Sequence, residues 1–284
     1  MLPDYLSAAL RGLSFIAMAQ ATGAALFLVI FGSALGNSRL RIRRAARAAT
    51  TAALILVSAL FLLEAARMAG SLSGLTDWDL QAFALSTPLA KVAAVRILAL
   101  GLLCAALASS TRAGKPLMAA AALLLSASFA LVGHTAGGPA RWLLAPAVAL
   151  HVLIVAFWFG SLLPRLQVVR EEEGGKAVAI VAKFSHVAGL AVPLILLAGL
   201  LLAFYLLPDW QAVTGPYGLT LLGKLLAFGL LMALAAWNRW RLGPALAGGA
   251  AGPVRHFCLS ITLEWWIIAA VLIATAVLTA FLSP

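Results

Sequence analysis

The chain has 284 residues, of which 64% are hydrophobic and 10% are charged, and its mean hydropathy is +1.06. No soluble domain of this size could keep so apolar a surface dispersed, so the composition predicts an integral membrane protein. The formal net charge is +11, but the basic residues lie in short segments between apolar runs without interleaved aromatics, which indicates membrane topology and excludes nucleic-acid binding.

Eight apolar stretches are long enough to cross a bilayer, because about 20 helical residues at ~1.5 Å each span its ~30 Å core. They predict an all-α integral membrane protein with eight transmembrane helices. The expected helices lie at about 5–31, 45–69, 87–109, 116–134, 142–163, 185–207, 217–240 and 257–281.

The loops between these stretches differ in charge. One alternate set is rich in Arg and Lys, whereas the other holds Asp77, Asp79 and Asp209 with Arg141 as its clear cation. The positive-inside rule makes the first set cytoplasmic and places both termini on the outer side. Within the cytoplasmic set, the acidic run 171–175 is expected to be a solvated loop.

An internal duplication is indicated by two segments that lie 128 positions apart. In each, a proline is followed by a cation and then by a glycine at the same spacing: Pro88, Arg96 and Gly101 in the first, and Pro216, Lys224 and Gly229 in the second. We expect two four-helix halves, 1–140 and 141–284. An even number of spans in each half makes this a parallel 4+4 repeat about an axis along the membrane normal.

Charged residues inside spans cost at least ~2.5–3.5 kcal/mol each at the bilayer centre, so each needs a partner or a function. Glu64 and Arg67 are three residues apart on one helix and are expected to pair. Lys224 and Glu264 lie on the last two spans at depths that a lysine can bridge, which favours an ion pair. Alternatively, Glu264 is a waypoint for a cation or a proton, since an intramembrane carboxylate is a functional candidate.

The four histidines lie at different depths. His134 closes the fourth span at the outer surface, and His151 lies ~13 Å inside the fifth span with Trp158 two turns further on the same face. His186 and His256 lie at cytoplasmic ends, where interfacial histidines are ordinary. His151 either bonds to a neighbouring helix as a neutral imidazole or binds a metal ion such as Cu(II) or Zn(II).

Two motifs on the fourth and fifth spans resemble the paired signature of the copper resistance D family of bacterial inner-membrane proteins. They are Gly133-His134-Thr135, and His151 followed by Trp158, Gly160, Ser161, Leu162, Leu163 and Pro164. Further matches follow in order: Phe184-Ser185, Tyr217-Gly218, Lys224, Asn238-Arg239, Pro244 and Glu264. The resemblance covers about 134–284 well and the first half weakly, through Arg11 and Gly23.

This resemblance implies a multi-pass protein that moves copper across the inner (cytoplasmic) membrane. In that membrane the outer termini expected from the positive-inside rule would be periplasmic. The leading hypothesis is copper uptake in support of copper homeostasis and resistance. His134 would be the outer metal ligand and His151 a deeper one, with Glu264 and Trp158 along the transport path. The resemblance also implies a separate periplasmic copper-binding partner of the copper resistance C type.

Two cations complicate that path. Arg96 and Lys224 would repel a free metal ion unless Glu64 and Glu264 neutralise them or they lie off the path. These four residues are therefore expected to act as charge partners.

Two other functions stay open. A membrane b-type cytochrome would hold haem between His134 and His151 on adjacent helices, and a non-transporting assembly subunit would use its helices for packing alone. The sequence holds no P-loop and no phosphorylated-aspartate motif, so we expect neither an enzyme nor direct coupling to a nucleotide.

Overall fold

The computed structural model describes residues 2–109, 111, 113–133, 139–206, 215–248 and 250–281. The described residues form ten α-helices and no β-strand. The α-helices are α1 Leu2–Phe31, α2 Arg39–Ala69, α3 Trp78–Ser86, α4 Pro88–Ala108, α5 Gly114–Ala127, α6 Arg141–Glu171, α7 Gly174–Leu206, α8 Pro216–Trp237, α9 Gly243–Ala245 and α10 Ala251–Phe281. A π-helical segment, Asn238–Leu242, continues α8, and 3-10 turns lie at Leu72–Thr76, Ser128–Leu131 and Leu246–Gly248.

Eight helical stretches in the described part are long and apolar enough to cross a membrane, which confirms the predicted all-α membrane fold. The boundary between the fifth and sixth spans differs from the prediction. We expected a loop over about 164–184, but α6 continues to Glu171 and α7 begins at Gly174. Hydropathy marks only the apolar part of a helix, whereas the internal hydrogen bonds of a helix continue as readily through polar residues in water.

The short helix α3 was not predicted. It begins at Trp78 directly after Asp77, whose carboxylate accepts hydrogen bonds from the backbone N–H groups of Asp79 and Leu80. This is a regular N-cap, because the capping side chain satisfies donors that have no partner within the helix. The two acidic residues that we used for topology therefore also start a surface helix.

The centre of the protein is α1, which packs against α2, α5, α6 and α10. Its contact with α6 brings the two backbones together at Gly23 and Gly160: a Cβ atom built on Gly160 would lie 2.6 Å from the Cα of Gly23. Close to this point, the side chain of Gln20 donates to the carbonyl of Gly160 at 3.0 Å and accepts from Trp265 of α10 at 3.2 Å. Small residues and side-chain hydrogen bonds are what hold membrane helices together.

The outer helices of the second half are α7 and α8. Both expose large apolar side chains, among them Leu190, Leu197 and Phe204 on α7 and Leu226 on α8. Because the protein spans a membrane, these side chains face lipid. The polar residues of the second half consequently lie between these outer helices and the inner pair, α6 and α10.

Candidate functional site

A row of polar side chains runs along one side of α6. His151, Trp158 and Arg165 are spaced by seven residues, which is two helical turns and ~10.5 Å of rise for each step. Residues at this spacing lie on the same face. The row therefore extends over ~21 Å and reaches the interior of the second half.

Glu264 of α10 lies at the middle of this row and is only 1% exposed. Its carboxylate accepts a hydrogen bond from the indole N–H of Trp158 at 3.1 Å and another from the side-chain amide of Asn238. The guanidinium of Arg165 lies 3.5 Å from the same carboxylate. The carboxylate is therefore buried with one opposite charge and two hydrogen-bond donors, which is the arrangement that a charge in an apolar interior requires.

This arrangement corrects the expected pairing of Lys224 with Glu264. The ion-pair partner of Glu264 is Arg165, while Lys224 is half-buried on α8 and makes no ion pair with a described residue. Arg165 falls within the loop that was expected over about 164–184. Since α6 continues beyond residue 163, Arg165 stays inside the bundle, 4% exposed, with its guanidinium 4.1 Å from the ring centre of Phe184.

Asn238 occupies a special backbone position. It is the first residue of the π-helical segment Asn238–Leu242 and is 4% exposed. A π-helical turn contains one residue more than the α-helical turn, and such insertions are frequent at functional sites because they displace a side chain from the regular helical face. The sequence analysis did not predict this π-helical segment.

His151 lies at the end of the row opposite to Arg165 and is half-buried. Its Nδ1 is 3.4 Å from the carbonyl oxygen of Ile195 on α7. A carbonyl can only accept, so this contact requires the tautomer with the proton on Nδ1 and leaves the lone pair of Nε2 available. A hydrogen bond from the second ring nitrogen is also what orients a metal-binding histidine. His134, the other predicted metal ligand, lies outside the described residues.

Within the described part of the chain, no group of three or more His, Cys, Asp or Glu side chains could hold a metal ion. His151 and Glu264 do not share a site. Glu264 is hydrogen-bonded to Trp158, which lies two turns of α6 beyond His151.

Glu64, Arg67 and Arg96 have partners within the first half of the chain. Glu64 pairs with Arg67 at 2.9 Å, as predicted, and Arg67 also lies 3.5 Å from Asp4. Arg96 donates to the hydroxyl of Ser128 at 3.1 Å and stacks 4.5 Å from the ring centre of Phe129. The expectation that Glu64 neutralises Arg96 is corrected by these contacts, because both side chains have other partners.

The acidic run 171–175 was expected to be a solvated loop, and that prediction is wrong for Glu172. Its side chain is 2% exposed and accepts hydrogen bonds from the backbone N–H groups of Gly36 at 2.8 Å and Ser38 at 3.0 Å, and from the Ser38 hydroxyl at 2.6 Å. Lys176 lies 3.3 Å away. The turn between α6 and α7 is thereby fixed to the start of α2.

Burial raises the pKa of Glu172, but the hydrogen bonds from Ser38 and Gly36 and the contact with Lys176 outweigh it and lower the pKa to about 2. Hydrogen bonds to a carboxylate favour its ionised form. At neutral pH this glutamate is thus a buried anion that joins the α6–α7 turn to the start of α2.

Both parts of the chain match known families. Residues 1–142 match the family described as Copper resistance protein D-like, N-terminal domain, and residues 178–278 match Copper resistance protein D. The inner membrane protein YebZ of Escherichia coli (strain K12) is 30% identical over 139 residues, covering 48% of each chain. Copper resistance protein D of Pseudomonas syringae pv. tomato is 31% identical over 153 residues, covering 49% of each chain. No solved structure matches.

The chain thus spans about half the length of the curated relatives it matches. Together with the eight apolar helices, these matches identify a multi-pass protein of the inner membrane. The chain belongs to the copper resistance protein D family.

Proposed function

We propose that the protein carries copper across the inner membrane, in the direction of uptake, and so contributes to copper homeostasis and resistance. The observation that carries the proposal is the row His151, Trp158 and Arg165 on α6, which leads inward to the buried carboxylate of Glu264. Intramembrane polar residues of this kind mark ion pathways by default. The choice of copper as the ion rests on the family to which the chain belongs.

In this proposal the Nε2 atom of His151 binds the ion on the outer side of the path, with His134 as the preceding ligand at the surface. Neutral imidazole is a good ligand for copper. Glu264 acts further inward as a charge relay and not as a permanent ligand, because Trp158, Asn238 and Arg165 already engage its oxygens. Successive weak sites allow an ion to leave as well as to bind.

We further propose that the chain consists of two four-helix halves, 1–140 and 141–284, arranged as a parallel repeat with both termini periplasmic. The contacts between helices support this. The first spans of the two halves, α1 and α6, pack against each other, and each also packs against the last span of the other half: α1 against α10, and α6 against α5. A twofold axis along the membrane normal exchanges these contacts pairwise.

The partner proposed for copper delivery is a separate periplasmic copper-binding protein of the copper resistance C type, which would meet the outer surface near His134. The proposed role is non-enzymatic and independent of nucleotides, because the chain carries no P-loop motif.

The test is copper accumulation in cells that express His151→Ala at a protein level matched to the wild type. We expect accumulation to be lost while membrane insertion is unchanged. The matched control is His186→Ala, whose side chain is exposed on α7 and whose loss should have a mild effect. Unchanged accumulation in His151→Ala would contradict the proposed path. A Soret absorption band in the purified protein would instead favour the haem-protein alternative.

A further inference from the structure

A cavity of about 100 Å³ lies between α6, α7, the π-helical segment and α10. Its polar lining is formed by Arg165, Ser185, Asn238, Arg239 and Glu264, and aromatic rings complete the wall. Arg165, Asn238 and Glu264 are at least nine-tenths buried, whereas Arg239 is exposed. The cavity thus has a closed inner side and an accessible side at Arg239.

Several buried polar atoms beside this cavity have no hydrogen-bond partner among the described residues. They are the Nε atom of Arg165 and the Oδ1 atom of Asn238; the Nη2 atom of Arg165 also makes no hydrogen bond, but it lies 3.5 Å from the carboxylate of Glu264 in their ion pair. Buried polar atoms are nearly always hydrogen-bonded, and an unpaired one calls for an explanation such as a bound ion or water. The guanidinium is the stronger case, because its donors carry charge and cannot be removed by deprotonation.

The charges around the cavity favour a negative occupant. Two guanidinium groups, those of Arg165 and Arg239, face one carboxylate, which leaves an excess of one positive charge. The oxygens of Glu264 already accept from Asn238 and Trp158, and one of them also lies beside Nη2 of Arg165. The charged donor left without a partner is therefore the Nε atom of Arg165. Glu264 therefore offers no unengaged oxygen to a resident metal ion, in line with the relay role proposed for it, and a guanidinium is no metal ligand.

We propose that this cavity binds a small, singly charged anionic group through the guanidinium of Arg165, with Arg239 at its accessible side. Liquid water occupies ~30 Å³ per molecule, so the volume suits a group of a few heavy atoms, such as chloride with water, nitrate or one phosphate group. A free inorganic anion and the phosphate of a lipid head group share this chemistry. The cavity includes Arg165 and Glu264, which the proposed copper path also uses, but anion binding goes beyond copper transport and is tested without copper.

The test is the thermal unfolding of the purified protein in an uncharged, lipid-free detergent. Sodium gluconate, whose anion is too bulky for the cavity, is replaced by sodium chloride, nitrate or phosphate at constant ionic strength. We expect the unfolding temperature to rise with the concentration of the small anion, since a ligand that binds only the folded state stabilises it. A second series uses nanodiscs of zwitterionic lipid with and without anionic phospholipid, and stabilisation in that series alone would assign the group to a lipid.

The variant Arg165→Gln should weaken the apparent anion affinity about tenfold or more, because it removes a charge-assisted contact. Arg170→Gln is the matched control: Arg170 is exposed on the same helix and outside the cavity lining. Ala236→Leu fills the cavity from its α8 wall while keeping both arginines, and should abolish the anion effect even where Arg165→Gln fails to fold. No anion effect on the wild type in either series would mean that the cavity holds water only and would overturn the proposal. An effect that persists unchanged in Ala236→Leu would place the ions elsewhere and overturn it equally.

Discussion

The indole N–H of Trp158 lies 3.1 Å from the carboxylate of Glu264 and joins α6 to α10 inside the protein. Asn238 bonds the other carboxylate oxygen from the π-helical segment. The orientation of this buried charge on α10 therefore depends on donors from two other elements, α6 and the π-helical segment. Each of these donors can be removed without removing the charge itself.

Trp158→Phe keeps an aromatic ring in place but removes the N–H donor to Glu264. Losing a hydrogen bond to a buried charged group should lower the free energy of unfolding by about 1–3 kcal/mol. The measurement is thermal unfolding in detergent, with Trp266→Phe as control, because Trp266 is 63% exposed on α10. Equal losses in the two variants would show that the indole N–H contributes nothing specific.

The ion pair between Arg165 and Glu264 should appear as a coupling energy. Arg165→Gln leaves the buried carboxylate without its opposite charge, whereas the double variant with Glu264→Gln removes both charges. We expect the double variant to be more stable than the sum of the single changes predicts, by about 1 kcal/mol or more. Unfolding of the four proteins in detergent gives this energy.

The control cycle uses Lys224→Gln in place of Arg165→Gln, because Lys224 makes no ion pair with a described residue. We expect Lys224→Gln and Glu264→Gln to be additive within about 0.5 kcal/mol. A coupling in the Lys224 cycle as large as that in the Arg165 cycle would restore the pairing expected from the sequence.

The approach of α1 and α6 depends on the absence of side chains. A Cβ atom on Gly160 would lie 2.6 Å from the Cα of Gly23 and 2.7 Å from the carbonyl oxygen of Ala19. Both neighbours are backbone atoms, so relief requires one helix to move. Gly160→Ala should therefore destabilise the protein by about 1–3 kcal/mol or more, measured by unfolding in detergent.

Gly101→Ala is the matched comparison, because a Cβ at Gly101 meets nothing within 4 Å. Alanine favours a helix over glycine, so this change should be neutral or slightly stabilising. If both alanine variants unfold at the same temperature as the wild type, close packing at Gly160 is not important for stability.

The sequence predicted the features that depend on continuous apolar length. All eight spans and the local pair of Glu64 with Arg67 follow from hydropathy and helical spacing alone. The partner of Glu264 could not be found in this way. Its identification required knowing that α6 extends past residue 163 and keeps Arg165 inside the bundle, which hydropathy does not report.

The same difficulty affected residues whose partners lie far away in the chain. Glu172 looks like a member of a solvated acidic run, yet its partners Gly36 and Ser38 are more than 130 positions away. Asn238, the first residue of a π-helical segment, donates to Glu264 on a different helix. In each case the determining fact is a tertiary contact between main-chain and side-chain groups, for which one sequence offers no local signal.

The last prediction concerns acid stability and Glu172. Its pKa is lowered to about 2 from an ordinary value of 4.5, so its ionised form stabilises the folded state. This contribution is fully present above about pH 4.5 and is lost as the pH falls towards 2. A difference of this size corresponds to about 3 kcal/mol at most.

Glu172→Gln should therefore destabilise the protein at neutral pH and flatten the fall of unfolding temperature between about pH 5 and pH 3. The measurement is thermal unfolding in an uncharged detergent across this range. Glu173→Gln is the control, because Glu173 is the exposed neighbour in the same turn and its loss should leave the wild-type slope intact. Other carboxylates titrate in all three proteins, so only the difference between the slopes reports on Glu172. A wild-type slope in Glu172→Gln would show that the carboxylate does not fix the α6–α7 turn to the start of α2.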